Sequence, residues 1–490
     1  MPKTRAAYGI DTAMNRTPSQ PCNAVGADGD VPQSFVELEE NLLRHFFRNR
    51  RVMEEVAGDA VNHPLVFPDD GFKFGLRHLP SELITNQDEI TTQKVLRLRP
   101  LWYARPVPLR IAFCLLLVAL SALRAEAQIA VSANDGDVEL VNGVNTPRSN
   151  PEPDTVTILN TSVMPPRVLG EVRAPNSVLG PPHNIAIAPD GSIAIVASST
   201  RIDPANPRNT IPDNRVTVID LAAKPPVVVD TLQAGRSASG VAINREGTLA
   251  LVANRGEGTV SVFIINGKIL TPTGKVDLGA PDSQPAQVMF SADGRNAFVS
   301  RSAATDNKIS VLSVELSKVE YTKRDFFTGL QPYGMDLTPA GDLAVVANIG
   351  TGFTGGSDTV SLVDVKVDPP RAIDQIAVGP IPEGIVISPN GKYVAVTVLN
   401  GTNVAPTSPF FHDYALLKVF EIRNRRLVAV AETKLGHWCQ GVGFTAKSDV
   451  VMAQCMVERE IQLFAFDGKT LKRSGQIKIN GGPAGLKTVP

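Results

Sequence analysis

The chain has 490 residues, with 48 Lys and Arg against 49 Asp and Glu and a formal net charge of −1. So even a balance leaves no electrostatic footprint for nucleic acid or an anionic membrane. The length exceeds the ~250–300 residues over which a single hydrophobic core keeps growing, so one folded unit of this size has to be modular.

Residues 1–104 carry dense charge (Arg44, Arg48, Arg50, Arg51, Glu54, Glu55), scattered proline and little sustained pattern. They read either as a disordered extension or as sequence upstream of the true start. No Met lies between Met53 and Met164, so a downstream start would fall on another codon, such as that of Val95 or Leu98. Residues 105–127 have the anatomy of a secretory signal peptide: Arg105 and Arg110, an apolar run from Ile111 to Leu123 broken only by Ser121, and Ala125-Glu126-Ala127 before Gln128. The run is shorter than the ~20 residues a membrane span needs. Cleavage and export, with no stable membrane span left afterwards, are expected over an anchor.

Beyond residue 128 a seven-residue step recurs, starting at Asn184, Gly240, Gln287, Gly334, Gly384 and Gly441, that is 56, 47, 47, 50 and 57 residues apart. Each step holds β-formers and runs into a tight turn such as Pro189-Asp190-Gly191, Ala292-Asp293-Gly294 or Pro389-Asn390-Gly391, and an apolar strand follows, such as Leu249 to Ala253. A third strand alternates β-branched and polar residues at period two, as in Thr259-Val260-Ser261-Val262-Phe263 and Thr359-Val360-Ser361-Leu362-Val363. A fourth follows, as in Lys275 to Leu278. A period near 40–50 residues with several strands in each repeat predicts a β-propeller.

The steps account for six blades over residues 180 to about 480. The ends supply a seventh. Ile129 to Ala133 resembles a second strand, Asp154 to Leu159 a third and Arg167 to Val172 a fourth, with no first strand before them. Gly481 to Val489 reads as a first strand with nothing after it. Residues 128–490 are therefore predicted to form an all-β, seven-bladed propeller of four-stranded antiparallel blades, closed by the C-terminal strand joining the N-terminal blade. Closure leaves no exposed inner sheet edge.

Of the four cysteines, Cys22 falls in the extension and Cys114 in the signal. Cys439 and Cys455 are symmetric about the turn at Ala446 to Asp449. Residues so placed face each other across a hairpin, at a separation a disulfide can bridge, and an oxidising compartment favours the bond. Two buried thiols are the alternative. No metal site or cofactor is expected, and the absence of a Cys-x-x-Cys-His run excludes covalent c-type haem.

In a propeller the first strand lines the central channel and begins on the face carrying the loops between second and third strands. Here the long loops lie at Ser199 to Asn214, Ile349 to Asp358 and Asn400 to Tyr414, which marks that face as the functional one. The residues just before each first strand are His183, Ser239, Ala286, Tyr333, Glu383, Gln440 and Ala484. With Arg236, Arg301, His412, His437 and Trp438 nearby, the set suits an anionic small molecule, Arg on carboxylate or phosphate and His183 or Glu383 handling a proton. Each residue also has a plainer reading: a loop hydrogen bonder for His183, packing for Trp438, satisfaction of backbone donors for Glu383. Asn254 and Asn348, at the ends of second strands, read as structural caps. No Walker loop, Gly-x-Ser-x-Gly elbow, zinc-type His pair or dinucleotide fingerprint occurs in context.

Leu251-Val252-Ala253-Asn254 with Gly258-Thr259-Val260-Ser261-Val262, and Val345-Val346-Ala347-Asn348 with Asp358 to Asp364, resemble the repeat of the YVTN family of β-propellers. Leu251 and Val345 replace the aromatic first residue of that motif. The resemblance implies a seven-bladed, often exported binding scaffold. Related propellers include lactonases of the 6-phosphogluconolactonase type and haem- or quinone-associated dehydrogenase subunits. Three functions follow as expectations: an exported, periplasmic or secreted binding or interaction module that takes a small molecule or a protein on the long-loop face; a lactone hydrolase; and an accessory subunit of a redox enzyme.

Overall fold

Alternating β-branched and polar residues, punctuated by Gly and Asp or Asn turns, leave the chain little choice but short antiparallel strands. The computed structural model describes residues 128–352 and 356–489. The extension, the signal-like segment, Cys22 and Cys114 lie outside the described residues. Seven four-stranded antiparallel sheets form. We number them as blades 1 to 7 by their inner strands: Gly482–Thr488, Ile185–Ile187, Ala238–Ile243, Pro285–Phe290, Pro332–Leu337, Pro382–Ile387 and Cys439–Phe444. Each inner strand touches the next, blade 7 against blade 1 and blade 1 against blade 2 included, so the ring is closed.

Blade 1 is assembled from both ends of the described chain, in the spatial order Gly482–Thr488, Ile129–Asp135, Thr155–Asn160, Arg167–Arg173. Leu486 pairs with Ser132, and Lys487 with Val131. Side chains extend the seam: Gln454 Nε2 donates to Ser132 Oγ at 2.7 Å, and Thr155 Oγ1 to the Asn480 carbonyl at 3.2 Å.

The core lies between blades. Ile193, Ile195, Val216 and Val218 of blade 2 pack on Val241, Val252 and Phe263 of blade 3, all buried. Comparable clusters join blades 5 and 6 and blades 6 and 7. Burying one such side chain stabilises by about 1.5–3 kcal/mol, and because each blade needs only its neighbours, the ring escapes the size limit of a single core.

One slot repeats at the end of the second strands and is filled by different chemistry. In blade 3 Asn254 accepts from the Gly235 amide and donates to Thr259 and Ser261. Asn348 does the same for Thr359 and Ser361 in blade 5, and Asn134 for Thr155 and Thr157 in blade 1. The capping role expected of Asn254 and Asn348 is what they perform. In blade 7 the slot holds Cys455, bonded to Cys439 with an S–S distance of 2.04 Å. Cys439 and Cys455 are register partners, as Ala238 and Asn254 are in blade 3.

The loops between second and third strands, and those from one blade to the next, share one face. Two of them contain structure of their own. The 198–214 loop holds a hairpin of Thr200–Ile202 and Thr210–Pro212, and the 136–154 connection of blade 1 holds one of Val138–Val141 and Val144–Pro147. In the first of these, cross-strand pairing of Thr200–Ile202 with Thr210–Pro212 satisfies backbone groups of the long loop.

Candidate functional site at the channel head

Seven residues in equivalent positions at the head of the inner strands form a tier around the axis: His183, Ser239, Ala286, Tyr333, Glu383, Gln440 and Ala484. They are equivalent because the strands share one register, with Pro332 opposite Asn348, Pro382 opposite Val398 and Cys439 opposite Cys455. Three of the expected ligand residues, His183, Tyr333 and Glu383, are thereby brought together.

His183 reaches across the channel from blade 2 to blade 5. A Cβ placed on Gly334 would stand 2.7 Å from its Nε2 and 2.4 Å from the Glu383 carbonyl, so only glycine leaves room for the ring. Its Nε2 is buried and has no hydrogen-bond partner among the described residues. Burial, reinforced by Lys487, pushes the imidazole pKa down to about 3. His183 is therefore a neutral imidazole at physiological pH.

Glu383 accepts from Gln440 Nε2 at 2.6 Å, and Gln440 Oε1 is buried without a partner. Burial raises the Glu383 carboxyl to about 7, against the opposing pull of Gln440 and Arg255. Near neutrality this group can hold or release a proton, which suits general acid–base work. The Tyr333 phenol is pushed well above its ordinary range, chiefly by burial. The Arg255 guanidinium stands 5.5 Å from the Tyr333 ring centroid and donates to Ser302 Oγ at 2.7 Å and Gln284 Oε1 at 2.8 Å. Deeper in the channel, burial raises the Asp336 carboxyl, while Lys487 and the Ile387 amide oppose that rise.

The other expected residues lie elsewhere. Arg301 occupies the blade-4 counterpart of the Asn254 slot. It is 1% exposed, donates to the Leu278 carbonyl, Ser310 and Tyr321, and pairs with Asp306, so it seals a blade and does not face the channel. Arg236 is exposed on the loop from blade 2 to blade 3, its amide donating to Glu257. The imidazole of His412 contacts the Asn400 carbonyl at 3.0 Å on an outer loop. His437 Nδ1 lies 2.7 Å from Glu458 Oε1. Cys439, Cys455 and Glu458 stand close enough to hold a metal ion, but both sulfurs are committed to the disulfide. Trp438 is 4% exposed and packs in an apolar cluster with Val138, Val178, Ile381, Leu399, Met456 and Ala484. That cluster draws on loops around blades 1, 2, 6 and 7, and Ala484 is itself a tier residue, so it lies over that side of the channel head.

Arg255, Asp336 and Lys487 were not anticipated. Arg255 follows the Asn254 cap directly, and Asp336 and Lys487 each stand three residues past a tier position. Those offsets were the available signal.

No protein-family model matches the chain, and no curated protein matches it. Solved structures do. A candidate 6-phosphogluconolactonase from Bacteroides uniformis aligns with a TM-score of 0.58 at 16% identity over 74% of this chain and 100% of its own. One from Bacteroides fragilis gives 0.57 at 15% over 75% and 99%. The periplasmic gluconolactonase PpgL of Pseudomonas aeruginosa gives 0.54 at 14% over 74% and 99%. At such identities the likeness is one of fold: the chain is a seven-bladed β-propeller built like lactonase-type propellers.

Proposed function

We propose that this propeller binds a small, neutral, hydroxyl-rich molecule at the channel head. The observation that carries the reading is the pair of buried, unpartnered polar atoms in one tier, His183 Nε2 and Gln440 Oε1. Buried polar atoms are nearly always satisfied, and a ligand with hydroxyl groups would satisfy both. An anionic ligand, the expectation from sequence, finds fewer free cations than expected: Arg301 is sealed in its blade, Arg236 is exposed away from the tier, and Arg255 is already engaged with Tyr333, Ser302 and Gln284, which leaves Lys487 deeper in the channel, while Glu383 and Gln440 offer acceptors. Export supports access to such ligands; the signal-like residues 105–127 and the Cys439–Cys455 bond favour a periplasmic or secreted location. The YVTN-like repeats favour placement in that family of exported scaffolds.

A second reading, hydrolysis of a sugar lactone, is favoured by Glu383 with its raised pKa beside a neutral His183, and by the lactonase names of the structural neighbours. Calorimetry with neutral polyols, sugar lactones and sugar acids tests the first reading, and lactone turnover tests the second. Saturable binding of a neutral polyol or lactone, weakened by His183→Ala and Gln440→Ala, supports the first. Binding of sugar acids alone, or binding indifferent to both substitutions, overturns it. Robust turnover lost in Glu383→Gln establishes the hydrolase.

A further inference from the structure

Six of the seven tier residues are buried, Ser239, Ala286, Tyr333, Glu383, Gln440 and Ala484, so a ligand approaching from the long-loop face meets the apolar cluster around Trp438 first. The hairpin of Val138–Val141 and Val144–Pro147 is the part of that cluster built to move. Its tip is Asn142-Gly143, both with positive φ (49° and 78°), the two-residue turn that closes a tight hairpin. Val138 is buried and Leu140 half-buried in the cluster beside Trp438 and Ala484. The tip runs over blade 7 to the 399–415 loop of blade 6, where Gly143 abuts the backbone of Val404 and Ala405.

The way it is held differs sharply from base to tip. At the base, Asp135 accepts from the amides of Asp137, Val138 and Val178, and Asp154 from those of Gly136 and Asn176. The Ile202 amide reaches the Asp137 carboxylate, and the Arg148 amide donates to the Asp137 carbonyl. Beyond the base, among the described residues, no hydrogen bond or ion pair ties residues 139–146 to another blade. The outward side chains are open: Val141 is 43% and Val144 62% exposed. A two-stranded hairpin held down beyond its base only by packing is the least stable kind of sheet. Residues 139–146 can lift without breaking a hydrogen bond to the ring.

We infer that the 138–147 hairpin is a lid over the channel head, pivoting on the Asp135–Asp137 base and lifting Leu140 out of the cluster to admit the ligand. The inference rests on the channel-head reading for its purpose, though not for its motion.

The test reads the motion without a ligand. Ser239→Cys places a thiol in the tier, and its modification by iodoacetamide, followed by mass spectrometry on the peptide that carries position 239 because Cys22 and Cys114 are also present in the chain, reports access. It is measured in the full chain alone, with Leu140→Asp, and with residues 139–146 replaced by Gly-Gly; far-UV circular dichroism checks that each variant folds. Labelling should be slow in the first protein and faster by roughly fivefold to tenfold in the other two, the effect of withdrawing one half-buried leucine from the closed state. Equal rates in all three, or fast labelling already in the first, overturn the lid. The shortened hairpin keeps the test decisive if Leu140→Asp does not fold. If labelling accelerates as expected while no polyol or lactone binds, the lid stands and the ligand assignment falls. If ligand binds and labelling never changes, the lid falls alone.

Discussion

Replacing Glu383 by Gln should stabilise the protein in alkaline buffer and leave it unchanged in acid. Burial lifts the Glu383 carboxyl from an ordinary 4.5 to about 7. Below pH ~4.5 the group is protonated whether the chain is folded or not, and it has no influence on the balance. As the pH rises toward and through ~7, the unfolded chain releases this proton more readily than the folded one, and stability is lost. A pKa lifted from 4.5 to about 7 corresponds to about 3 kcal/mol once the pH is well above both values. Glutamine keeps an acceptor for Gln440 Nε2 and has no proton to release. For a ring of roughly 360 residues, about 0.8 kcal/mol shifts the melting temperature by one kelvin, so the variant should melt about 4 °C above the parent near pH 9. Scanning calorimetry from about pH 5 to about pH 9 gives both curves. Parallel curves across that range, or a variant that melts lower at the alkaline end, would refute the claim that Glu383 is buried against its charge.

Three further outcomes follow from the same structure. His183 has the opposite sign: with its pKa down near 3, stability should fall as the pH drops below the ordinary value of 6.5 toward 3, and His183→Gln should flatten that acid limb in the same calorimetric series. Replacing both Cys439 and Cys455 by Ser opens a loop spanning a sequence separation of 16 and should lower stability by about 3 kcal/mol, read from urea unfolding with and without a reductant. Truncation before Gly482 removes the inner strand of blade 1; the truncated chain should lose its cooperative melt and be cut by trypsin first within residues 129–173, whereas an unchanged melt would show that closure is dispensable.

Much of the architecture was legible because it is written locally. Six of the seven inner strands lie in the recurring step, and the leftover strands at Ile129, Thr155 and Leu486 could only pair with one another. The disulfide was legible for the same reason, since hairpin symmetry needs no knowledge of the ring. The site was legible in part. His183, Tyr333 and Glu383 share a register position, and position alone brings them to the axis. Arg301 misled because a basic residue near a channel invites an anion; aligning it with Asn254 and Asn348 reveals a sealing role. Arg255 was missed because its place over Tyr333 depends on how far neighbouring blades splay, which no single repeat encodes. The lid hairpin did leave a trace: Asn142-Gly143 between Leu140-Val141 and Val144 is a strong turn signal, in a stretch assigned no element from sequence.

The seam in blade 1 has a kinetic corollary. Gln454 meets Ser132 across 322 positions and Thr155 meets Asn480 across 325, so the circle cannot shut before nearly everything else exists. Loops of that span are slow to close. Until they do, the edge of Ile129–Asp135 stays unpaired and able to capture another molecule's strand, and blade 7 lacks the neighbour that covers one of its faces. A mutation that delays the last nine residues would thus be felt first as aggregation during biogenesis, even where the finished wheel is as sturdy as before.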